Sequence, residues 1–277
     1  MITDKDTNKI YFSKKLKEQF PDTTKQILST LNLLGVEPGF LDCTNDIWTR
    51  DYMPVQVSDS KFIEYRYDPD YLQGKDKGNR NLKTYPDMVY DSIGLKSVKS
   101  DLIIDGGNIV KSSDCIILTD KIVKENRLSY SKHELISKLQ NTFEVDKVIL
   151  IPWDTLEPYG HADGMLRFID NETVLINDLY KKDTVLAYRL KSSGLKYEFL
   201  NFNVKKKFKN NWAYINFLQT KDLILLPRFG AEEDNQALEQ IRNFYPEYGD
   251  DRIAQIDMND IVELGGALNC ISWTIKK

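Results

Sequence analysis

Short apolar runs recur in pairs along the chain, each pair broken by a polar turn. Pro54-Val55-Gln56-Val57 and Phe62-Ile63-Glu64-Tyr65 flank Ser58-Asp59-Ser60, and Asn108-Ile109-Val110 and Cys115-Ile116-Ile117-Leu118 flank Ser112-Ser113-Asp114. Met165 to Ile169 and Thr173 to Ile176 enclose Asp170-Asn171-Glu172; Tyr214 to Leu218 and Leu223 to Leu226 enclose Thr220-Lys221-Asp222. Branched and aromatic runs around polar turns predict four hairpins. Cys270 to Ile275 reads as a fifth strand whose partner must come from elsewhere in the chain.

The stretches between hairpins carry helical spacing. Asp22 to Leu34 places Ile27, Leu28, Leu31 and Leu34 on one face, with Gly35 as its stop. Ser131-Lys132-His133-Glu134 has the Ser-x-x-Glu form of a capping box. Asp183 is positioned to cap a helix through Leu190, and Asp234 to open one through Phe244; Pro86 interrupts the segment from Asn79 to Leu95. Three of these helices run into further strand-like segments, at Val148 to Ile151, Tyr197 to Leu200 and Arg252 to Ile256. The order helix, strand, loop, hairpin thus repeats about five times with no dividing linker, so residues 1–277 are expected to form one closed α/β repeat domain.

A polar group stands in the loop leading into each hairpin: Asp51, Asp105, His161, Asn216 and Cys270, separated by 54, 56, 55 and 54 residues. If each repeat is one wedge of a ring, all five converge on a central axis and share a pocket. Cys270 is then the strongest nucleophile available, although an unperturbed thiol is only slightly ionised at neutral pH. His161 is suited to relay protons, and a carboxylate such as Asp105 to fix its tautomer. Asp51 and Asp163 remain as two anions, which repel unless a cation joins them, and a planar guanidinium matches carboxylate oxygens in pairs. This set points to thiolate attack on a carbon clamped between two aspartates. Trp48 offers a wall for a flat cation. Taken singly, Cys270 in an apolar strand reads as a small core residue, and Asp105-Gly106-Gly107-Asn108 as a tight turn; the shared period argues for function. His133 reads as a helical surface residue.

Composition narrows the remaining classes. Hydrophobic residues make up 41% and charged residues 29%, which excludes disorder. A net charge of -4 provides no field for nucleic acid, and Lys205-Lys206-Lys207-Phe208-Lys209 reads as a solvated loop. No apolar run is long enough to span a membrane, and Met1 to Asp6 lacks a basic-then-apolar export signal. Three cysteines, Cys43, Cys115 and Cys270, cannot all pair within the chain and fit a reducing cytoplasm. The spacing fits no zinc site, and neither a P-loop nor a Gly-x-Gly-x-x-Gly is found.

The motifs Trp48-Thr49-Arg50-Asp51-Tyr52-Met53-Pro54, Asp105-Gly106-Gly107-Asn108, Gly160-His161-Ala162-Asp163 with Arg167-Phe168, and Gly265-Gly266 ahead of Cys270 resemble those of the agmatine deiminase and bacterial-type peptidylarginine deiminase family. The likeness runs from about Asp42 to the C-terminus. It implies the five-bladed α/β propeller, or pentein, fold and hydrolysis of a guanidino group to a ureido group with release of ammonia. Cys270 would attack the guanidinium carbon held by Asp51 and Asp163. His161 would protonate the departing ammonia and then activate water against a covalent thiouronium, with Asp105 orienting it. Trp48, Asn108 and Asn216 would shape the pocket. The implied partner is a small cationic guanidino substrate, agmatine first (giving N-carbamoylputrescine) and peptidyl-arginine next, with no metal or organic cofactor. Amidino transfer uses the same nucleophile, and a non-catalytic binding module would have lost the set. The chain departs from agmatine deiminases at Met53, where Gly is common, at Asp105, where Glu is usual, and at Asn269, where His typically precedes the cysteine.

Overall fold

The central strands explain the architecture. Cys115-Ile116-Ile117-Leu118 is apolar at every position because both faces of the strand are buried. Ile116 and Leu118 pack on one side with Val55, Ile63 and Tyr65, whereas Cys115 and Ile117 pack on the other with Leu166, Val174 and Ile176. A strand alternates its side chains between faces, so this central strand is shared between two cores.

The computed structural model describes residues 1–74, 80–155 and 159–277. It contains five three-stranded sheets of one design: an inner strand pairs antiparallel with a central strand, which pairs parallel with an outer one. They are β3 (Val55–Ser58), β4 (Lys61–Arg66) and β5 (Val98–Ile103); β6 (Val110–Lys111), β7 (Cys115–Thr119) and β8 (Lys147–Ile151); β9 (Leu166–Phe168), β10 (Thr173–Asn177) and β11 (Lys196–Leu200); and β12 (Leu218–Gln219), β13 (Ile224–Arg228) and β14 (Ile253–Asp257). The fifth sheet joins both ends of the chain. β1 (Lys9–Ser13) lies between β15 (Ser272–Ile275), antiparallel, and β2 (Gly39–Leu41), parallel, so the N-terminus supplies the missing partner strand.

A helical crossover carries the chain from central to outer strand, as a parallel pair requires. The crossovers contain α1 (Pro21–Leu33), α2 (Pro86–Ser92), α3 (Lys132–Phe143), α4 (Thr184–Ser192) and α5 (Glu233–Phe244). Ser131 and Glu134 form the expected capping box at α3, and Asp183 Oδ1 accepts from the amides of Val185 and Leu186 at α4. Leu41, Phe62 and Trp273 join the fifth sheet to the first, and Leu175 packs with Leu218 and Leu225 in a core that also holds Ile10 and Phe12. The five sheets therefore close into a ring.

Local details differ from the sequence reading. Tyr214 and Ile215 lie in a 3-10 turn (Asn211–Ile215), and only Leu218–Gln219 of that run is strand. Asn108 likewise ends a 3-10 turn (Gly106–Asn108). Asp234 sits inside α5 rather than capping it; its carboxylate accepts the amides of Phe229, Gly230 and Ala231 and the Tyr214 hydroxyl, shaping the turn before the helix. Pro86 starts α2 instead of breaking it, since the first helical position needs no amide donor. Cys270 precedes its strand. Asn79 lies outside the described residues.

Candidate active site

Each of the five periodic polar residues lies just ahead of an inner strand: Asp51 before β3, Asp105 before β6, His161 before β9, Asn216 before β12 and Cys270 before β15. Short helical turns hold four of them. Asp51 is within Thr49–Tyr52, Asp105 and His161 cap Gly106–Asn108 and Ala162–Gly164, and Asn216 closes Asn211–Ile215. A tight turn at the inner end of a sheet directs its side chain toward the axis of the ring, where the turns meet.

His161 stands between two carboxylates. Its Nε2 is 3.2 Å from Asp105 Oδ2, and its Nδ1 is 3.7 Å from Asp51 Oδ1. Asp51 Oδ1 also accepts the Gly107 amide at 3.0 Å. Gly107 cannot carry a side chain, because a Cβ there would come within 2.6 Å of His161 Nδ1 and 2.7 Å of Asp51 Oδ1. The Gly-Gly pair after Asp105 is thus a close approach of backbone to the imidazole, beyond its part in a turn.

On the other side, Cys270 Sγ lies 3.2 Å from Asn216 Oδ1 and 3.7 Å from Asp163 Oδ2. Asn216 Oδ1 accepts the Cys270 amide, Asn216 Nδ2 donates to the Asp163 carbonyl, and the Asn216 carbonyl accepts the Asn269 amide. Asn216 is therefore the joint between the cysteine loop and the Asp163 turn. The Cys270 carbonyl accepts the Arg50 amide at 3.1 Å, which ties the same loop to the Asp51 turn.

Asp51, Asp105, Asp163 and Cys270 are 5%, 2%, 3% and 6% exposed, so their charges act through little water. Burial pushes the Asp51 carboxyl up to about 7 against the pull of His161, with Asp105 and Asp163 adding to the rise. Burial works against the His161 imidazolium, but Asp51, Asp105 and Asp163 outweigh it and raise the group to about 10. Cys270 is driven far above the ordinary thiol range by burial and then by Asp163 and Asp51. These shifts favour an imidazolium and a protonated thiol at neutral pH, beside carboxyl groups whose negative field attracts a cation.

Two cavities of about 520 and 400 Å³ meet at Cys270 and His161, and Tyr159, Leu264 and Gly265 line both. The larger extends past Asp163 to Trp212, Tyr180 and Lys209; the smaller passes Asp51 and Trp48 to Asp46 and Tyr71. Trp48 thus flanks the Asp51 side as an aromatic wall. Asn108 and Asn216 line neither cavity. Asn108 Oδ1 accepts the Thr119 amide and fixes the turn beneath the site. Lys209, from the basic run, reaches the rim and pairs with Glu263 at 2.6 Å. Among the described residues, no group of three or more His, Cys, Asp or Glu is arranged to hold a metal ion, and no helix is long and apolar enough to cross a membrane.

The structure brings Asp51, Asp105, His161, Asp163 and Cys270 together. Sequence reasoning missed Asn269 as a partner of Asp163, the Gly107 amide, and the rims from Tyr71, Tyr159 and Trp212. Asn269 was visible only by its place beside the cysteine.

Comparisons with known proteins bear on the fold and the family. The C. jejuni agmatine deiminase, solved as a cysteine-to-serine variant with substrate bound, superposes with a TM-score of 0.76 at 16% identity, covering 100% of this chain and 96% of that one. That likeness places the fold among the five-bladed α/β propellers of the pentein class. Among sequence relatives, a Mycoplasma capricolum protein provisionally named an agmatine deiminase is 23% identical over 90% of this chain and 80% of its own length. An Enterococcus faecalis protein of the same provisional name is 26% identical over 62% of this chain, which spans 57% of that relative. The model of the Porphyromonas-type peptidyl-arginine deiminases matches residues 22–275, and the chain belongs to that family.

Proposed function

We propose that the chain is a guanidine hydrolase that converts a guanidino group to a ureido group by cysteine catalysis. The observation that carries the reading is the convergence of Cys270, Asp163, Asp51 and His161 on one junction of two cavities. A guanidinium bound there meets Asp51 on one side and Asp163 on the other. Its positive charge offsets the anions that keep Cys270 protonated, so the thiol gives up its proton to solvent as substrate binds. The thiolate attacks the central carbon, forming a C–S bond. His161 then transfers a proton to one nitrogen, the C–N bond breaks, and ammonia departs to leave a thiouronium on Cys270. The now neutral imidazole takes one proton from water as the oxygen attacks; the C–S bond then breaks as the new hydroxyl gives its remaining proton to solvent, releasing the ureido product and the thiolate. Asp105 orients His161 throughout and stabilises its charge.

Agmatine or a related small guanidine with a cationic tail is the favoured substrate. Asp46 and Asp154 line the cavities while Lys209 and Glu263 offset one another, so the walls among the described residues favour an amine over a carboxylate. Peptidyl-arginine is the second reading, favoured by the family match. Purified protein is to be mixed with agmatine, free arginine and an arginine peptide, with ammonia and ureido product assayed. Ammonia in step with ureido product from one of them is expected. No ammonia from any, with Cys270 inert to a haloacetamidine, would replace this reading with a binding module.

A further inference from the structure

Lys121 opens the short helix Lys121–Asn126 that follows β7, and it is 1% exposed. Its Nζ lies 2.9 Å from Glu125 Oε1, 3.3 Å from Asp70 Oδ1 and 3.6 Å from Asp105 Oδ2. Asp105 Oδ2 is the same atom that His161 Nε2 approaches at 3.2 Å. One carboxylate oxygen therefore faces an ammonium, as an ion pair, and an imidazole; neither Lys121 Nζ nor Asp105 Oδ1 has a hydrogen-bond partner among the described residues.

The stem of Lys121 acts on the other half of the pair. Gly160, directly before His161, has a φ of +69°, and a Cβ there would come within 2.6 Å of Lys121 Cδ. The Gly160 carbonyl accepts the Thr119 hydroxyl at 2.6 Å, which presses this backbone onto the end of β7. Lys121 thus lies against the chain that presents His161 while its head group engages Asp105. Burial would lower the ammonium, but Asp105, Glu125 and Asp70 raise it, so it stays charged.

We propose that Lys121 is a positioning residue of this site, a buried cation that shares Asp105 with His161 and limits how tightly the imidazole keeps its proton. The need follows from the charge balance. Asp51, Asp105 and Asp163 all favour the imidazolium, yet a group that donates a proton and takes one back works best when neither form dominates. A cation beside Asp105 lowers the proton affinity of every group around it. Those groups are His161, Asp51 and Glu125, together with the Tyr65, Tyr67 and Tyr71 hydroxyls that feel Asp105; Asp70 is a further carboxylate beside the ammonium, and Lys124, 3.7 Å from it, is the outer cation. The assignment rests on the functional reading only for the proton-transfer role of His161; the coupling itself is measurable without turnover.

The chain has two histidines, so imidazole NMR follows His161 against His133. In a folded Lys121→Met variant, which keeps the stem and removes the charge, the His161 titration should rise by about one unit. Lys121→Arg should restore it, Glu125→Gln should lower it, and Lys124→Met, on the exposed side, should leave it in place. With a turned-over guanidine, Lys121→Met should reduce kcat about tenfold and change KM less than twofold. If the unaltered protein turns over no guanidine, the functional reading fails while the titration still decides the coupling. Should Lys121→Met not fold, the Glu125→Gln shift decides alone. An unmoved His161 titration in folded Lys121→Met and Glu125→Gln, or an equal shift in Lys124→Met, would overturn the proposal.

Discussion

The Asn269 side-chain amide donates a 2.6 Å hydrogen bond to Asp163 Oδ2, the same oxygen that lies 3.7 Å from Cys270 Sγ. The residue before the proposed nucleophile therefore aims one arm of the proposed carboxylate clamp. A hydrogen bond to a buried charge contributes about 1.5–3 kcal/mol. Replacing Asn269 by Ala should lower kcat/KM on the best guanidino substrate by about 10- to 100-fold and lower the melting temperature by several degrees. An unaltered kcat/KM would mean that Asp163 is held by other groups.

In the proposed mechanism Asp163 acts on Cys270 in opposite ways before and after a cation binds, and this separates two reagents. Burial first, and then the Asp163 charge, keep the thiol protonated when no cation is present. In Asp163→Asn the thiol should ionise at lower pH, so neutral iodoacetamide should label Cys270 faster at pH 8 than in the unaltered protein. A cationic haloacetamidine should label it more slowly, because half of its clamp is gone. Both rates moving together would count against the clamp and favour a change in access. Turnover should fall in affinity and rate alike.

The ring was legible because its central strands are buried on both faces. Cys115 to Leu118 and Val174 to Ile176 are continuous apolar runs, and the turns before the inner strands must reach the axis whatever their sequence. The period of Asp51, Asp105, His161, Asn216 and Cys270 carries that geometry directly. What escaped were contributions without a local signature. β5 reads as polar because Val98, Lys99 and Asp101 face solvent on an outer strand. β1 has only five residues, and its pairing with β15 spans nearly the whole chain. Lys121 looks like any lysine at the start of a helix, and only the arrival of Asp70 and Asp105 from other turns makes it part of the site.

Asp4 closes the ring from the N-terminal side. Its carboxylate lies 2.8 Å from Arg167 Nη2, 3.5 Å from Lys111 Nζ and 3.8 Å from Arg50 Nη1, and Arg50 Nε reaches on to the Asn269 carbonyl at 3.3 Å. Burial disfavours the Asp4 anion, but Lys111, Arg50 and Arg167 together bring its carboxyl down to about 2. Removing it leaves three cations facing one another with little water. Asp4→Asn should cost about 3 kcal/mol of stability, the scale for a buried ion pair that loses one partner. Urea unfolding at neutral pH checks this; a loss below about 0.5 kcal/mol would show that the cations disperse on their own.

Stability should also depend on alkaline pH through His161. Its folded value of about 10 stands above the ordinary 6.5, so between those limits the folded chain binds a proton that the unfolded chain releases. The stabilisation is complete below about pH 6.5 and is lost as pH rises toward 10. Asp51 acts with the same sign at lower pH: its folded value near 7 stands above 3.8, so its contribution is present below 3.8 and disappears as pH rises through 7. Unfolding free energies from urea titrations at pH 6.5, 8 and 9.5 should therefore decline by a few kcal/mol. The decline should flatten in His161→Asn, which keeps a polar side chain but cannot titrate. Parallel curves for the two proteins would assign the alkaline loss to other groups and remove the imidazolium as the stabilising charge among Asp51, Asp105 and Asp163.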